Sequence, residues 1–484
     1  MGKVHRQMQL GFLVVPAGLG LQLITMLLIA SHLGPSQFGI YSIIMAIANI
    51  VIFVISMGLG TNLTKLVAEG KHPARYYVSL SIPLVCAFSV LSGVALVIIS
   101  CAAYSVRVAG WPAVIAASGT VFFGLATIFS AALNGLQKIE KWMIWFLGHK
   151  IAMLALVLGV LRPLHGGIGW AQATGTIANF LMMFYAGAAL WGEAWRGELR
   201  WNLKEVRELI GGSITVALTA AVTRVAMEID SFILAAFAPD AAVGVYSAGK
   251  RMIVPAAQVL NASVSVPTFP GLCRLAGENR REFNHWSTQL CLIQWTAALA
   301  MALVGWAVAP YVVPHLLRRG FGDTVQVIQI LVWSLVPILF SNQLRYVYIA
   351  LSRENRFIVF NIIYLVLKGG ILAVLTWRFG LWGACYGAVV SELVLAVLVW
   401  YGVAAVDVTL RFAWPGALAT VVTAACLAVL WKLSSDHQAA FGVVVVAYLL
   451  VAVYVVNRLM RTVREHIPRA VRGDDAAVGA ASDG

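Results

Sequence analysis

Long apolar runs separated by short polar segments occupy most of this chain of 484 residues. A helix that crosses a membrane needs about 20 consecutive, mostly apolar residues. Fourteen runs of roughly this length follow one another along the sequence. They are Leu10–Ser31, Ile40–Asn62, Tyr77–Tyr104, Pro112–Gly135, Trp142–Leu164, Ile168–Trp191, Leu209–Phe237, Val243–Leu272, Ser287–Val313, Val325–Leu351, Phe357–Trp377, Leu381–Gly402, Phe412–Trp431 and Phe441–Val456. The pattern predicts an all-α integral membrane protein with about fourteen transmembrane helices.

The composition agrees with a surface that faces lipid. Apolar residues make up 61% of the chain and charged residues only 11%, whereas an average soluble domain has roughly 25% charged residues. The six cysteines stand singly, without CxxC or other ligand spacing, so we expect apolar packing and no metal site. The first apolar run is too long for the core of a cleaved signal peptide, and we expect it to remain as a helix.

Basic residues are distributed unevenly between the predicted loops. With the N-terminus in the cytoplasm, 22 of the 34 Lys and Arg residues fall in cytoplasmic segments, 6 in outer loops and 6 inside helices. Loops rich in Lys and Arg stay in the cytoplasm, so the distribution predicts a protein of the bacterial inner membrane with both termini cytoplasmic. We therefore attribute the net charge of +14 to residues that set the orientation of the helices and contact anionic membrane lipids, and not to nucleic-acid binding.

A repeated motif suggests that the chain consists of two halves. The element Gly39-Ile40-Tyr41-Ser42 recurs 205 residues later as Gly244-Val245-Tyr246-Ser247, each time after a turn containing proline. The two copies are six helices apart, so the halves have the same orientation and are related by a pseudo-two-fold axis along the membrane normal. The sequence therefore predicts two six-helix lobes (1–191 and 209–405), a cytoplasmic linker (192–208), two peripheral helices (406–460) and a tail that is basic and then disordered (461–484).

Charged residues inside the predicted helices are the candidates for function, because charges within a membrane are costly and usually face the bundle interior or a wet cavity. Six are basic and three acidic, an excess of three positive charges that favours an anionic substrate. The basic residues are Lys150, Arg224, Lys250, Arg251, Arg345 and Lys368, and the acidic residues are Glu228, Asp230 and Glu392.

Spacing predicts partners for several of these charges. Arg224 and Glu228 are four residues apart on one helix face. Asp230 lies at the same depth as Lys250 and Arg251 on the next, antiparallel helix, so either cation is a predicted partner.

The remaining charges allow alternative interpretations. Glu392 is a partner for Lys368 in the favoured interpretation, or else a proton or sodium site. Lys150 and Arg345 lie nearer the cytoplasmic ends of their helices, where reaching the lipid headgroups is the alternative to facing a cavity.

No catalytic signature accompanies these charges. The sequence contains no phosphate-binding loop, nucleophile elbow or cluster of metal ligands. The longest loop, Gly192–Glu208, has 17 residues and is too short for a soluble catalytic domain. We therefore expect a transporter without a cofactor, driven by H⁺ or Na⁺ coupling, the membrane potential or the gradient of its substrate.

Two stretches in the first half resemble a known family. Leu33–Ser42 reads LGPSQFGIYS and Ser56–Lys65 reads SMGLGTNLTK. They resemble the LGxxxFGxYS connection and the GLGxxLxK helix end of the polysaccharide-export family, the Wzx-type oligosaccharide flippases. This family is part of the multidrug/oligosaccharidyl-lipid/polysaccharide exporter superfamily.

The resemblance implies a core of twelve helices in two V-arranged lobes, with two peripheral helices. It also implies that an undecaprenyl-pyrophosphate-linked oligosaccharide, the repeat unit of an O-antigen, capsule or exopolysaccharide, moves by alternating access to the outer leaflet. Arg224, Lys250, Arg251 and Lys368 are then the candidates for the headgroup path, with Lys150 and Arg345 as further cavity cations. A polysaccharide polymerase and a chain-length regulator are the candidate protein partners.

Three other functions remain open from the sequence. An ion-coupled multidrug or metabolite antiporter of the same fold would favour cationic substrates, against which the excess of positive charge argues. A membrane-embedded glycosyltransferase or polymerase would need a longer loop. A lipid II flippase shares the helix count, and only the motifs in the first half favour the polysaccharide branch.

Overall fold

The computed structural model describes residues 2–56, 59–69, 72–104, 106–194, 221–317 and 320–404. Within these ranges the protein is almost entirely helical and contains no β-strand. The predicted linker, the two peripheral helices, the tail and the first part of the seventh predicted helix lie outside the described residues. The all-α membrane fold predicted from the apolar runs is confirmed, and the count of fourteen helices stays a prediction.

Twelve α-helices follow one another in the described ranges. They are α1 (Gly2–Ser56), α2 (Leu59–Glu69), α3 (Ala74–Ala103), α4 (Val106–Gly135), α5 (Ile139–Leu156), α6 (Ile168–Ala194), α7 (221–237), α8 (Asp240–Glu278), α9 (Arg280–Leu316), α10 (Thr324–Leu331), α11 (Leu335–Ala350) and α12 (Glu354–Ala404). A π-helical turn at Val157–Leu161 extends α5, and a 3₁₀ turn at Val332–Ser334 joins α10 to α11.

Eight helical segments in the described part of the chain are long and apolar enough to cross a membrane. Two of them are far longer than one crossing requires and contain a glycine with non-helical backbone angles: Pro16–Ile52 has 37 residues and Asn355–Val403 has 49. At 1.5 Å per residue these would be about 55 and 75 Å long if straight, against a hydrocarbon core of about 30 Å.

Glycines divide both long segments. Gly34 has φ 75° and ψ 169°, and Gly380 has φ 55° and ψ −131°. Side chains other than glycine are strongly disfavoured in these regions. Each glycine therefore separates two helical stretches, at the places where the apolar pattern predicts two consecutive membrane helices.

The chain forms two compact units, each assembled from several stretches of sequence. Among the described residues, the first unit contains those within 1–252, 313–324 and 365–387, and the second contains those within 253–312, 325–364 and 388–404. The division into two six-helix lobes at 192–208 stays a prediction.

In the first unit, polar side chains connect α4, α5 and α6. Thr176 of α6 donates a hydrogen bond to the carbonyl oxygen of Ile115 on α4 at 2.9 Å, and Asn179 donates to that of Gly119 at 3.2 Å. The Nε2 atom of His149 on α5 lies 2.8 Å from Oδ1 of Asn179. Such interhelical hydrogen bonds hold membrane helices together, because lipid competes with apolar contacts but not with polar ones.

The two copies of the repeated motif meet within the first unit. A Cβ atom at Gly39 of α1 would overlap the carbonyl oxygen of Asp240, and one at Gly244 of α8 would overlap that of Pro35. Each glycine thus packs against the backbone four residues before the other, which is the reciprocal contact expected at a pseudo-two-fold axis. We call this contact the glycine crossing.

In the second unit, three buried polar side chains form a hydrogen-bonded chain across three helices. Gln294 of α9 donates to Ser265 of α8 at 2.7 Å, and Ser265 donates to Gln343 of α11 at 2.8 Å. All three side chains are excluded from solvent. Their pairing offsets much of the cost of burying amides in an apolar environment.

Candidate functional site

The turn between α7 and α8 brings a carboxylate and an ammonium group together. Asp230 lies seven residues before the end of α7, about 10 Å along the helix. Its Oδ1 atom is 2.6 Å from Nζ of Lys250 on α8. The helical depths predict this ion pair, and of the two alternative partners the structure selects Lys250 over Arg251.

Asp230 is fixed on both of its oxygens. The hydroxyl of Tyr246, one turn before Lys250 on α8, donates to Oδ2 at 2.6 Å, and the backbone N–H of Ser231 donates to Oδ1 at 3.0 Å. The Asp230 side chain is only 4% exposed. Three donors on a buried carboxylate stabilise its charged form, because each replaces a hydrogen bond to water.

Glu228 approaches the same lysine more loosely. Its Oε2 atom lies 3.9 Å from Nζ of Lys250, and its side chain is 15% exposed. The amide of Asn49 on α1 donates to its other oxygen at 3.1 Å. Arg224, one turn earlier on α7, lies within electrostatic range of it, and the predicted pairing of the two stays a prediction.

Lys368 of α12 completes this group of charges. It is 3% exposed and lies close enough to Asp230 to interact with it electrostatically. Asp230 therefore has two cationic neighbours, Lys250 and Lys368, from different helices. We call Arg224, Glu228, Asp230, Lys250 and Lys368 the charge cluster.

Three cations and two carboxylates leave the charge cluster with one excess positive charge. In a medium of low dielectric constant this charge acts strongly on any ion nearby. Arg224, Glu228 and Lys250 are its partly exposed members, the last two with side chains 15% and 20% exposed, whereas Asp230 and Lys368 are buried. The arrangement can bind an anion at the accessible end, while Asp230 holds the lysines in place.

The structure directs Arg251 away from the ion pair and towards α1. Its guanidinium group lies 6.0 Å from the centre of the Phe38 ring and 3.7 Å from the sulfur of Met26. Tyr41, from the first copy of the repeated motif, is also within electrostatic range of Arg251. Arg251 thus belongs to the interface between α8 and α1.

The other predicted cations lie in different surroundings. The ammonium group of Lys150 on α5 lies 5.7 Å from the centre of the Phe146 ring, and the guanidinium group of Arg345 on α11 lies 5.2 Å from that of Tyr346. Both are cation–π contacts that stabilise a charge within an apolar helix.

Glu392 accepts a hydrogen bond from Tyr364 within the second unit. Its predicted pairing with Lys368 stays a prediction, as does its alternative role as an ion site.

Sequence reasoning missed three partners of these charges. Tyr246 stands out in the sequence only as part of the repeated motif, although its position four residues before Lys250 places both side chains on one face of α8. Asn49 and Tyr364 carry no comparable signal, because their partners are 179 and 28 residues away.

Comparison with known proteins agrees with this fold. The sequence profile of the family described as "Polysaccharide biosynthesis protein" matches residues 10–276. No curated protein sequence matches the chain.

Several solved membrane proteins share the architecture. A lipid II flippase, MurJ, in an inward closed conformation has a TM-score of 0.73 at 14% identity, with 92% of this chain and 97% of that chain covered. An inward-facing multidrug resistance transporter of the MATE family has a TM-score of 0.63 at 17% identity, with coverages of 85% and 98%. A transporter of the MOP superfamily from Pyrococcus furiosus, described as having a binding pocket of reversed polarity, has a TM-score of 0.55 at 17% identity. It covers 84% of this chain and 94% of that chain. At these identities the likeness establishes the fold and not the substrate.

Proposed function

The chain belongs to the polysaccharide biosynthesis protein family, and from this premise we propose that it flips an undecaprenyl-pyrophosphate-linked oligosaccharide. The substrate would move from the inner to the outer leaflet of the bacterial cytoplasmic membrane by alternating access. The observation that carries the proposal is the charge cluster, with its excess positive charge at the partly exposed end.

The chemistry of the substrate matches this cluster. A diphosphate headgroup is anionic and loses its hydration when it enters hydrocarbon, at a high cost in free energy. Ammonium and guanidinium groups offset that cost, and an arginine also offers paired N–H donors to phosphate oxygens. The polyprenyl tail is apolar and can remain in lipid during transfer. Repeat units delivered to the outer leaflet would then be available to a polymerase and its chain-length regulator.

The relatives support movement of a lipid-linked molecule. One neighbour of the same fold is described as a lipid II flippase. Helical lobes of this kind are therefore compatible with carrying a lipid headgroup across the bilayer.

Single alanine substitutions test the proposed headgroup path. Arg224→Ala, Lys250→Ala, Arg251→Ala and Lys368→Ala should each reduce surface polysaccharide in a host that lacks the chromosomal gene, because each removes a cation from the path. Arg378→Ala is the matched control, since this arginine is exposed at the end of its helical stretch. Membrane abundance of each variant is measured in parallel. Normal export by all four well-expressed variants would contradict the proposed path.

An ion-coupled multidrug antiporter is the second candidate function. It is favoured by the neighbours described as multidrug resistance transporters and by the two carboxylates of the charge cluster. The excess positive charge opposes it, because cationic drugs would be repelled. Measuring drug tolerance and surface polysaccharide in the same deletion strain distinguishes the two candidate functions.

A further inference from the structure

Lys250 is shared unequally between two carboxylates. Asp230 holds it at 2.6 Å and is itself fixed by Tyr246 and the backbone of Ser231. Glu228 is 3.9 Å away and more exposed, 15% against 4% for the side chain of Asp230. Displacing Asp230 would break several short, buried hydrogen bonds. Displacing Glu228 breaks a hydrogen bond from Asn49, the 3.9 Å contact to Lys250 and the electrostatic interaction with Arg224.

The groups around Glu228 are also the groups that an anionic ligand needs. An amide N–H from α1 and an ammonium from α8 face its carboxylate, and the guanidinium of Arg224 on α7 lies within electrostatic range of it. All three groups can donate hydrogen bonds to the oxygens of either a carboxylate or a phosphate, because both are anionic acceptors of similar size. The donors therefore form an oxyanion subsite that Glu228 occupies in this structure.

We propose that Glu228 is a resident counter-ion, and that a phosphate oxygen of the substrate takes its place among Asn49, Lys250 and Arg224 during binding. This inference rests on the proposed function. Asp230 has a different role: it is a positioning residue that keeps Lys250 and Lys368 in place while the anion at Glu228 is exchanged.

A resident counter-ion has a thermodynamic consequence. The cations of the subsite never remain bare in the apolar layer, since Glu228 returns when the substrate leaves. The substrate must compete with Glu228, so its apparent affinity is lowered by the fraction of time that Glu228 holds the subsite. Removing the charge of Glu228 without changing its shape should therefore tighten the binding of a diphosphate and leave the binding of a neutral lipid unchanged.

The test is a binding measurement on the purified full-length protein in lipid nanodiscs. The probes are farnesyl pyrophosphate, a soluble prenyl diphosphate, and farnesol, its neutral counterpart. Glu228→Gln should bind the diphosphate roughly tenfold more tightly than the wild-type protein does, with no change for farnesol. Asp230→Asn is the matched control, and it should weaken diphosphate binding because it releases Lys250.

Glu228→Ala supplies a second variant at the same position. It also removes the resident carboxylate, so diphosphate binding should tighten even if Glu228→Gln is poorly folded. Equal or weaker binding of the diphosphate by a folded Glu228→Gln variant overturns the inference. Equal or weaker binding by a folded Glu228→Ala variant overturns it as well.

The proposed function can fail separately. If the wild-type protein binds farnesyl pyrophosphate no better than farnesol, the anionic headgroup site itself is wrong, and the inference falls with it. If the wild-type protein prefers the diphosphate and Glu228→Gln gains nothing, the flippase proposal survives and only the counter-ion role is lost.

Discussion

At the scale of single residues, the contacts of Asp230 organise the charge cluster. It receives Lys250 and Tyr246 from α8 and lies within electrostatic range of Lys368 from α12. A pairing with Lys250 or Arg251 could be predicted from the sequence, because the residues lie at equal depth on two antiparallel helices, and the structure selects Lys250. Asn49 could not be predicted, since a contact between side chains 179 residues apart depends on how the helices cross.

A double-substitution cycle tests the ion pair. Asp230→Leu and Lys250→Leu should each lower the stability of the purified protein by about 3–5 kcal/mol, because each leaves a buried charge without its partner. The double variant should recover most of this loss, since two apolar side chains replace the pair. Thermal unfolding in detergent gives the comparison, and surface polysaccharide should be lost in all three variants. Single variants as stable as the wild-type protein would contradict an intact Asp230–Lys250 pair.

At the scale of helices, the apolar pattern predicted the element order, and the repeated motif predicted two related halves. Neither pattern could predict the glycine crossing, because the close approach of two backbones depends on which helix faces are in contact. The kinks at Gly34 and Gly380 lie where the runs predict breaks, and their positive φ values explain why glycine occupies both positions.

Alanine substitutions test the glycine crossing. Gly39→Ala and Gly244→Ala should each reduce stability by about 1–3 kcal/mol, because the added methyl group overlaps a backbone carbonyl that cannot move aside easily. Gly20→Ala is the control in α1: no atom lies within 4 Å of its Cβ position, so it should be neutral or stabilising by up to roughly 1 kcal/mol. Thermal unfolding distinguishes the variants. Equal effects of Gly39→Ala and Gly20→Ala would mean that the two helices do not meet at Gly39.

At the scale of the whole molecule, the composition and the apolar runs sufficed to identify a membrane protein with many crossings. The orientation in the membrane is predicted from the distribution of Lys and Arg between loops. This distribution is a property of the sequence and does not follow from the helical contacts. The substrate is the least predictable property, because proteins of one fold move molecules of different charge and size.

Labelling of single cysteines tests the orientation. In a protein whose six native cysteines are replaced, Leu164→Cys lies at the predicted outer end of the apolar run Trp142–Leu164 and Gln137→Cys in a predicted cytoplasmic loop, and both positions are exposed. A membrane-impermeant maleimide should label Leu164→Cys in intact spheroplasts, and Gln137→Cys only after permeabilisation. The reverse pattern would place both termini outside the cytoplasm.

The flippase proposal is tested most directly by the leaflet distribution of lipid-linked repeat units in a host without the gene. If the protein is an oligosaccharide flippase, surface polymer is lost, repeat units accumulate on the cytoplasmic side, and the wild-type gene reverses both effects. Unchanged surface polysaccharide together with altered drug tolerance would contradict the account. The protein would then be an antiporter, with Glu228, Asp230 and Glu392 as the residues to test.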